Sequence, residues 1–315
     1  MKWSTEPSVV ALGGGHGLAA SLSALRSVTT DLTAVVTVAD NGGSSGRLRE
    51  EFGVLPPGDL RMALAALCGD DRWGQTWARV LQHRFESAGE MDGHSMGNLL
   101  IVSLWDLLHD HVDGLDWVAG LLGARGRVLP MATSPLDITA EVRGAGADPD
   151  EVSTVRGQVE VATTPGEVLA VAVEPMGAAA CPEAVVAIAE ADWVVLGPGS
   201  WYTSVLPHLL VTGLREALCT TSAKVVVSMN LEPHTEETRG YDLADHLEVL
   251  HRHAPDLEVH AALADPTAVR DRARLGAVAD RLGARLVLED IASSDPGVHD
   301  SQKLGSAYAR LFQTI

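Results

Sequence analysis

Lysine, cysteine and aromatic residues are scarce in this chain, and each scarcity excludes something. Three of the 23 basic residues are lysine, and 42 carboxylates leave a formal charge of −19. A chain this acidic is repelled by phosphate backbones and anionic lipid, so no nucleic acid and no membrane is expected among its nonspecific partners. Cys68, Cys181 and Cys219 stand far apart and form no C-x-x-C pair, which removes a zinc signature and fits a cytoplasmic location. Aromatics are 4% of the residues, so the core has to come from Val, Leu and Ala, and a hydrophobic fraction of 46% supplies it. The apolar stretch Leu99–Leu108 is broken by Asp106, and nothing reaches the roughly 18 residues of a membrane span. The amino terminus also lacks a charged start followed by a long apolar stretch.

What the chain does have is glycine placed directly after apolar runs. Leu32–Val38 is rich in β-branched residues and alternates little, so it reads as a strand buried on both faces. Ala39-Asp40-Asn41-Gly42-Gly43-Ser44-Ser45-Gly46-Arg47-Leu48-Arg49 comes next. In an open α/β sheet, ligands bind at the carboxyl ends of strands. Small residues there let backbone N–H groups approach an anion, and arginine can hold phosphate oxygens bidentately.

One strand earlier, Val9–Leu12 leads into Gly13-Gly14-Gly15-His16-Gly17 and a helical pattern from Leu18, with Leu22 and Leu25 on one face. Strand, glycine turn and helix start make an anion site from helix-terminal N–H groups. The third glycine of the dinucleotide fingerprint would fall where Leu18 stands, and no P-loop Lys-Ser/Thr is present after it. A nucleotide or phosphate is therefore expected, outside the ordinary NAD geometry. Gly197-Pro198-Gly199-Ser200-Trp201-Tyr202-Thr203-Ser204 repeats the arrangement after Trp193–Leu196. Asn230 closes a further strand, Lys224–Met229, with an amide able to donate and accept, as a base or sugar requires. Four such strand ends point to one shared crevice.

Positive charge gathers locally in Arg47, Arg49, Arg61 and Arg84. Asp40 and Asp59 stand beside the glycine loops and offer two carboxylates for Mg²⁺ bridged to a diphosphate. Alternatively, Asp40 binds a ribose and Asp59, after Pro56-Pro57-Gly58, caps a helix running through Leu67. Gly93-His94-Ser95-Met96-Gly97 matches G-x-S-x-G, but a nucleophile elbow needs an apolar strand immediately before it, and Glu86–Asp92 is polar. Ser95 reads instead as the cap of a helix that presents Asn98. His94 is placed to contact an anion, to donate a proton or to serve the structure. No catalytic residue is assigned. His208, His234, His246, His251, His253 and His260 show no metal-ligand spacing and read as surface or packing residues.

The alternation of strand and helix patterns predicts an α/β fold, Rossmann-like, with a mostly parallel sheet and helices on both faces. Residues 1–125 form a nucleotide-binding half, 126–180 a small β-rich insertion, and 181–315 a second half completing the same sheet. The insertion is read from the short runs Arg127–Met131, Ile138–Val142, Val155–Ala162 and Val168–Glu174.

Gly13–Leu18, Thr37–Arg49, Pro56–Arg61, Gln82–Phe85, Gly93–Leu100, Gly126–Pro130 and Gly197–Pro207, in that order, resemble the gluconeogenesis factor family (YvcK-like proteins), within the superfamily of 2-phospho-L-lactate transferases. The chain departs from the family at His16, usually Thr, at Asn41, usually Asp, and at Met62, usually Asn. After Asn230, Glu232–Thr238 replaces the usual Met-Thr-Gln-Pro-Gly-Glu-Thr. Loss of the second Asp weakens a two-carboxylate metal site.

The resemblance implies a cytoplasmic regulatory protein that binds a UDP-sugar, notably UDP-N-acetylglucosamine, and is associated with cell shape, cell-wall precursor supply and growth on gluconeogenic carbon. On that reading the glycine loops (Gly13, Gly14, Gly15, Gly17, Gly42, Gly43, Gly46, Gly197, Gly199) and Arg47 hold the diphosphate. Asp40 or Asn230 takes the ribose or uracil, and His94, Asn98 and Tyr202 the sugar end. His16, Asn41, Ser44, Ser45, Asp59, Arg61, Arg84 and Ser200 complete the binding set. No cofactor is required for binding, with Mg²⁺ joining a diphosphate at Asp40 and Asp59. A protein partner and a homo-oligomer are expected. The alternative activity is Mg²⁺-dependent transfer of a phospholactyl group from a guanosine diphosphate donor to a deazaflavin.

Overall fold

Short apolar runs without polar alternation become the central strands, as burial on both faces requires. The computed structural model describes residues 6–232 and 235–315. Its strands are β1 (Val9–Gly13), β2 (Leu32–Val36), β3 (Arg127–Pro130), β4 (Asp137–Arg143), β5 (Val152–Arg156), β6 (Glu167–Glu174), β7 (Trp193–Leu196), β8 (Lys224–Ser228), β9 (Ala261–Ala264) and β10 (Arg285–Leu288). Seven of them form one sheet in the order β10-β9-β8-β7-β1-β2-β3, with every pairing parallel. The chain moves outward from β1 to β3, leaves the sheet, and returns on the other side of β1 as β7. That reversal is the topological switch point, where doubly wound sheets bind ligands. The carboxyl ends of β8, β7, β1 and β2 are consecutive in the sheet, so the four polar strand ends lie side by side.

In chain order the first seven helices are α1 (Gly15–Leu25), α2 (Gly43–Phe52), α3 (Gly58–Leu67), α4 (Arg72–Gln82), α5 (Met96–Leu108), α6 (His111–Leu122) and α7 (Gln158–Ala162). The carboxyl-terminal helix Ser301–Thr314 is stitched to the switch point. The Ser21 hydroxyl lies 2.7 Å from the Tyr308 hydroxyl and donates to the Gly197 carbonyl at 3.1 Å, and the Trp193 ring stacks on Phe312 at 4.4 Å.

Gly17 shows how closely the β1 and β7 turns approach. A Cβ there would sit 2.2 Å from the Pro198 carbonyl oxygen and 2.7 Å from Gly199 Cα, both backbone atoms. Gly17→Ala is expected to lower stability by about 2–3 kcal/mol through overpacking, read as a lower urea midpoint at unchanged slope. A cost within about 0.5 kcal/mol would show that the two turns separate freely.

The insertion is a three-stranded antiparallel sheet, ordered β5-β4-β6, with α7 between β5 and β6. Three expectations need correction. Arg127–Pro130, assigned to the insertion, is the edge strand of the main sheet beside β2, because Val128 and Leu129 complete its core. Val155–Ala162 is not one strand: it ends β5, turns at Gly157 with φ 110°, and becomes α7. The glycine loop placed within Ala39–Arg49 is helical from Gly43 onward: Gly43–Phe52 is a helix that buries Ser44, Ser45 and Leu48. His234 and Met1–Thr5 lie outside the described residues. No helix among the described residues is long and apolar enough to cross a membrane.

Candidate nucleotide-phosphate site

Two helices, α2 and α3, start around one pocket of about 230 Å³. Asp40, Gly42, Gly43, Ser44, Ser45, Gly58, Asp59, Arg61, Met62 and Arg84 line it. The first turn of α2 is Gly43-Ser44-Ser45-Gly46, capped by Gly42 without a side-chain acceptor. The N–H groups of Gly43, Ser44 and Ser45, ahead of the first helical hydrogen bond from Gly46 to Gly42, have no partner within the helix, and with the helix dipole they make an anion site. α3 opens beside it, so close that a Cβ on Gly58 would lie 2.3 Å from Ser45 Oγ and 3.0 Å from Asp40 Oδ2. Gly14, just before α1, is similarly tight: a Cβ there would lie 2.4 Å from Asp59 Oδ2.

A buried polar chain holds the α2 turn in place. Ser44 Oγ accepts from Asn98 Nδ2 at 3.0 Å and from the Ser95 N–H at 3.3 Å. With both lone pairs engaged, its proton points to His94 Nδ1, 3.1 Å away. Asn98 Oδ1 accepts from Arg61 Nε at 2.9 Å, and Arg61 also donates to Gln82 Oε1. Arg61 is only 3% exposed although it carries a full charge. Burial, then neighbouring Arg84, draws its pKa down to about 10. Burial also lowers the pKa of His94, with Arg47 adding to the effect. Asp59 moves the other way: burial, then the adjacent Asp40 carboxylate, pushes it up to about 7 against the Gly15 N–H and Arg61.

The structure therefore brings together Asp40, Gly42, Gly43, Ser44, Ser45, Asp59, Arg61 and Arg84, with His94 and Asn98 behind them. Of two expected caps, one is absent and the other is met in position only. Asp59 is not the cap of α3, since Pro57 holds that position and Asp59 turns to the Gly15 N–H. Ser95 holds the cap position of α5, but its hydroxyl donates to the Leu81 carbonyl at 2.9 Å.

Other expected ligand contacts are engaged with protein. Arg47 donates to the Glu90 carbonyl at 3.0 Å and the Asp92 carbonyl at 2.7 Å, pinning the segment before α5. Arg84 lines the pocket while donating to the Gly93 carbonyl at 2.9 Å. The Asn230 amide clasps Gly199, accepting from its N–H and donating to its carbonyl, both at 2.8 Å. Gly199 has φ 148°, a conformation that favours glycine, and the clasp fixes the turn there. The Tyr202 hydroxyl is buried 2.7 Å from that of Tyr241, and burial raises its pKa. Asn41 is tied to α7. His16 is exposed at the start of α1, Ser200 is half-buried after β7, and Gly46 donates back to Gly42 within the first turn of α2.

Sequence reasoning missed Glu237, Gln158 and Glu160. Glu237 is 3% exposed and accepts from the Tyr202 N–H at 3.2 Å, and burial pushes it up to about 7. Nothing in the polar segment around it signalled that burial. Among the described residues no group of three or more His, Cys, Asp and Glu could hold a metal. Asp40 and Asp59 make a pair, which matches Mg²⁺ only when phosphate oxygens complete the coordination.

This architecture has known relatives. The sequence pattern of the family described as 2-phospho-L-lactate transferase CofD matches residues 9–293. A putative gluconeogenesis factor of Mycobacterium leprae is 50% identical over 306 residues, covering 96% of this chain and 85% of that protein. The chain belongs to the gluconeogenesis factor family, within the CofD-like superfamily. The gluconeogenesis factor of Listeria monocytogenes is 35% identical over 319 residues, covering 98% of this chain and 96% of that protein. A crystal structure of a UPF0052 family member from Bacillus halodurans superposes with a TM-score of 0.87 at 31% identity, over 96% of this chain and 98% of that one. The fold shared with that structure thus extends over nearly the whole chain.

Proposed function

We propose that this gluconeogenesis factor family member is a regulatory protein that binds a nucleoside diphosphate sugar, UDP-N-acetylglucosamine, and through it governs cell-wall precursor use and cell shape during growth on gluconeogenic carbon. One observation supports the reading above all: two helix starts, with Ser44, Ser45 and the buried Arg61, converge beside the switch point of the sheet. Helix-terminal N–H groups and a buried guanidinium offset the charge of a diphosphate even in an acidic chain. The names of the relatives support the gluconeogenic setting. The G-x-S-x-G segment supplies no nucleophile, since the Ser95 hydroxyl is buried and donates to a backbone carbonyl.

A second reading, phospholactyl transfer, draws on the CofD family match and on the Asp40–Asp59 pair. Mg²⁺ would supply charge neutralisation at a diphosphate there. In that case Asp40 and Asp59 hold the ion, while Arg61 and the α2 turn orient the phosphates.

Thermal unfolding with UDP-N-acetylglucosamine, UDP, NAD and a guanosine diphosphate donor, each with and without Mg²⁺, separates the two. Ligand at 100 times its dissociation constant adds about 2.7 kcal/mol, enough to move the midpoint by several degrees. The expected result is a shift with UDP-sugars and none with the guanosine donor. A Mg²⁺-dependent shift with the guanosine donor, together with product formed from a deazaflavin, would establish transfer instead.

A further inference from the structure

The inserted sheet reaches the crevice through one short helix. Gln158 Nε2, at the start of α7, donates to the Thr203 carbonyl at 3.0 Å, in the turn after β7. The next residue, Val159, donates its N–H to Asn41 Oδ1 at 3.1 Å, and Glu160 Oε2 accepts from Asn41 Nδ2 at 2.7 Å. Three consecutive residues therefore span the loop after β2 and the turn after β7. Val161 anchors the helix in the core at 0% exposure. Val159 packs so tightly on Gly42 that a Cβ there would sit 2.9 Å from Val159 Cγ2. Gly42 is also the cap of α2, whose first turn lines the phosphate pocket. The docking of α7 and the shape of the anion site thus share one piece of backbone, Asn41–Gly42. The outer strand β5, by contrast, has no fully buried residue.

We propose that α7 is a latch on the binding crevice: it holds the Asn41–Gly42 loop and the Thr203 turn at their working separation, and a nucleoside diphosphate on the α2 turn tightens it, ordering the inserted sheet. The proposal rests on the diphosphate reading and adds its regulation, with the insertion as the part of the molecule that reports occupancy.

The latch depends on an amide at position 41. Asn41 donates to a carboxylate and accepts from a backbone N–H at once, which a carboxylate cannot do. Asn41→Asp keeps the acceptor for Val159 but sets two carboxylates against each other. Adding Glu160→Gln returns a donor from the opposite side and should close the latch again.

The test is amide hydrogen exchange on the full chain, with UDP-N-acetylglucosamine as the probe and its binding measured in parallel by calorimetry. In the wild-type protein the ligand should slow exchange over residues 157–163 by about tenfold. Without ligand, Asn41→Asp should speed exchange there by about tenfold, the equivalent of one lost charged hydrogen bond, and Asn41→Asp/Glu160→Gln should restore it. Glu160→Ala, which leaves the pocket lining intact, should also speed exchange and raise the dissociation rate of the sugar nucleotide. Calorimetric binding with unchanged exchange over 157–163 would overturn the latch and leave the binding reading standing. Failure of the double variant to restore protection would overturn the Asn41–Glu160 pairing as its basis. Absence of any calorimetric binding would overturn both readings together.

Discussion

Arg61→Ala is expected to lower folding stability by about 3–4 kcal/mol and to weaken diphosphate binding at least about 100-fold. The guanidinium is buried, and its Nε holds Asn98, whose amide in turn holds Ser44 on the first turn of α2. Removing it leaves the acceptors of Asn98 and Gln82 without their donor and leaves Asp40 and Asp59 with less counter-charge. Buried polar groups stripped of one partner bear the full cost of their desolvation. The methylene stem matters too, since it runs over Gly97, where a Cβ would come within 2.8 Å of Arg61 Cγ. Arg61→Lys should recover part of the stability and little of the affinity, because an ammonium cannot reproduce the planar fork that serves Asn98 and Gln82 together. Urea denaturation and calorimetry read the two effects separately. An Arg61→Ala protein within about 1 kcal/mol of the wild type, with unchanged affinity, would remove Arg61 from both roles.

Asp59→Asn is expected to stabilise the protein at pH 8 and to flatten its stability between pH 4 and 7. Asp59 rises from 3.8 in the unfolded chain to about 7 in the folded one, through burial and the Asp40 carboxylate. Between those values the native state holds a proton that the unfolded state has released. Stability therefore falls as pH rises through this window and levels off above about 7. The cost at pH 8 is about 2–4 kcal/mol, the upper end corresponding to the full shift. Asparagine cannot ionise, so the variant escapes that cost. Glu237, raised from 4.5 to about 7 by burial, has the same sign, so a residual slope should remain until Glu237→Gln is added. Asp137, Asp245 and Asp265 are shifted down instead, and their contribution is lost only as pH falls through the lower carboxylate range. Unfolding free energies at pH 5, 6, 7 and 8 test this directly. An unchanged slope in Asp59→Asn would mean that Asp59 is ionised throughout. The same variant should lose any Mg²⁺ dependence of ligand binding, a trade of stability against function.

The central strands β1, β7 and β8 were legible because they are buried on both faces and so appear as unbroken apolar runs that close on Gly13, Gly197 and Asn230. β3 was misplaced because a four-residue run carries no period and only its pairing with β2 reveals its sheet. The start of α2 was read as a glycine loop because glycine and serine are poor helix formers, whereas at a first turn they leave N–H groups open and Leu48 anchors the rest. The pocket residues Asp40, Ser44 and Ser45 could be named because small and charged residues follow the end of β2, and Asp59 and Arg61 because they follow the Pro56-Pro57-Gly58 break at the start of α3. Arg47, Asn41 and Asn230 were harder. An amide or guanidinium at a strand end can face a ligand or clasp a neighbouring backbone, and only packing decides. Asn230 clasps Gly199, Arg47 holds two loop carbonyls, and Asn41 holds a helix 118 residues away. Glu237 gave no sign of its burial, since charge in a polar segment ordinarily means solvent.

The crystal structure of the protein with UDP bound is the decisive measurement. The proposed site requires diphosphate oxygens about 3 Å from the backbone N–H groups of Ser44 and Ser45, with Arg61 as their buried counter-charge. A diphosphate seated elsewhere, for example in the groove between Arg127 and the helix Pro182–Glu190, would contradict it.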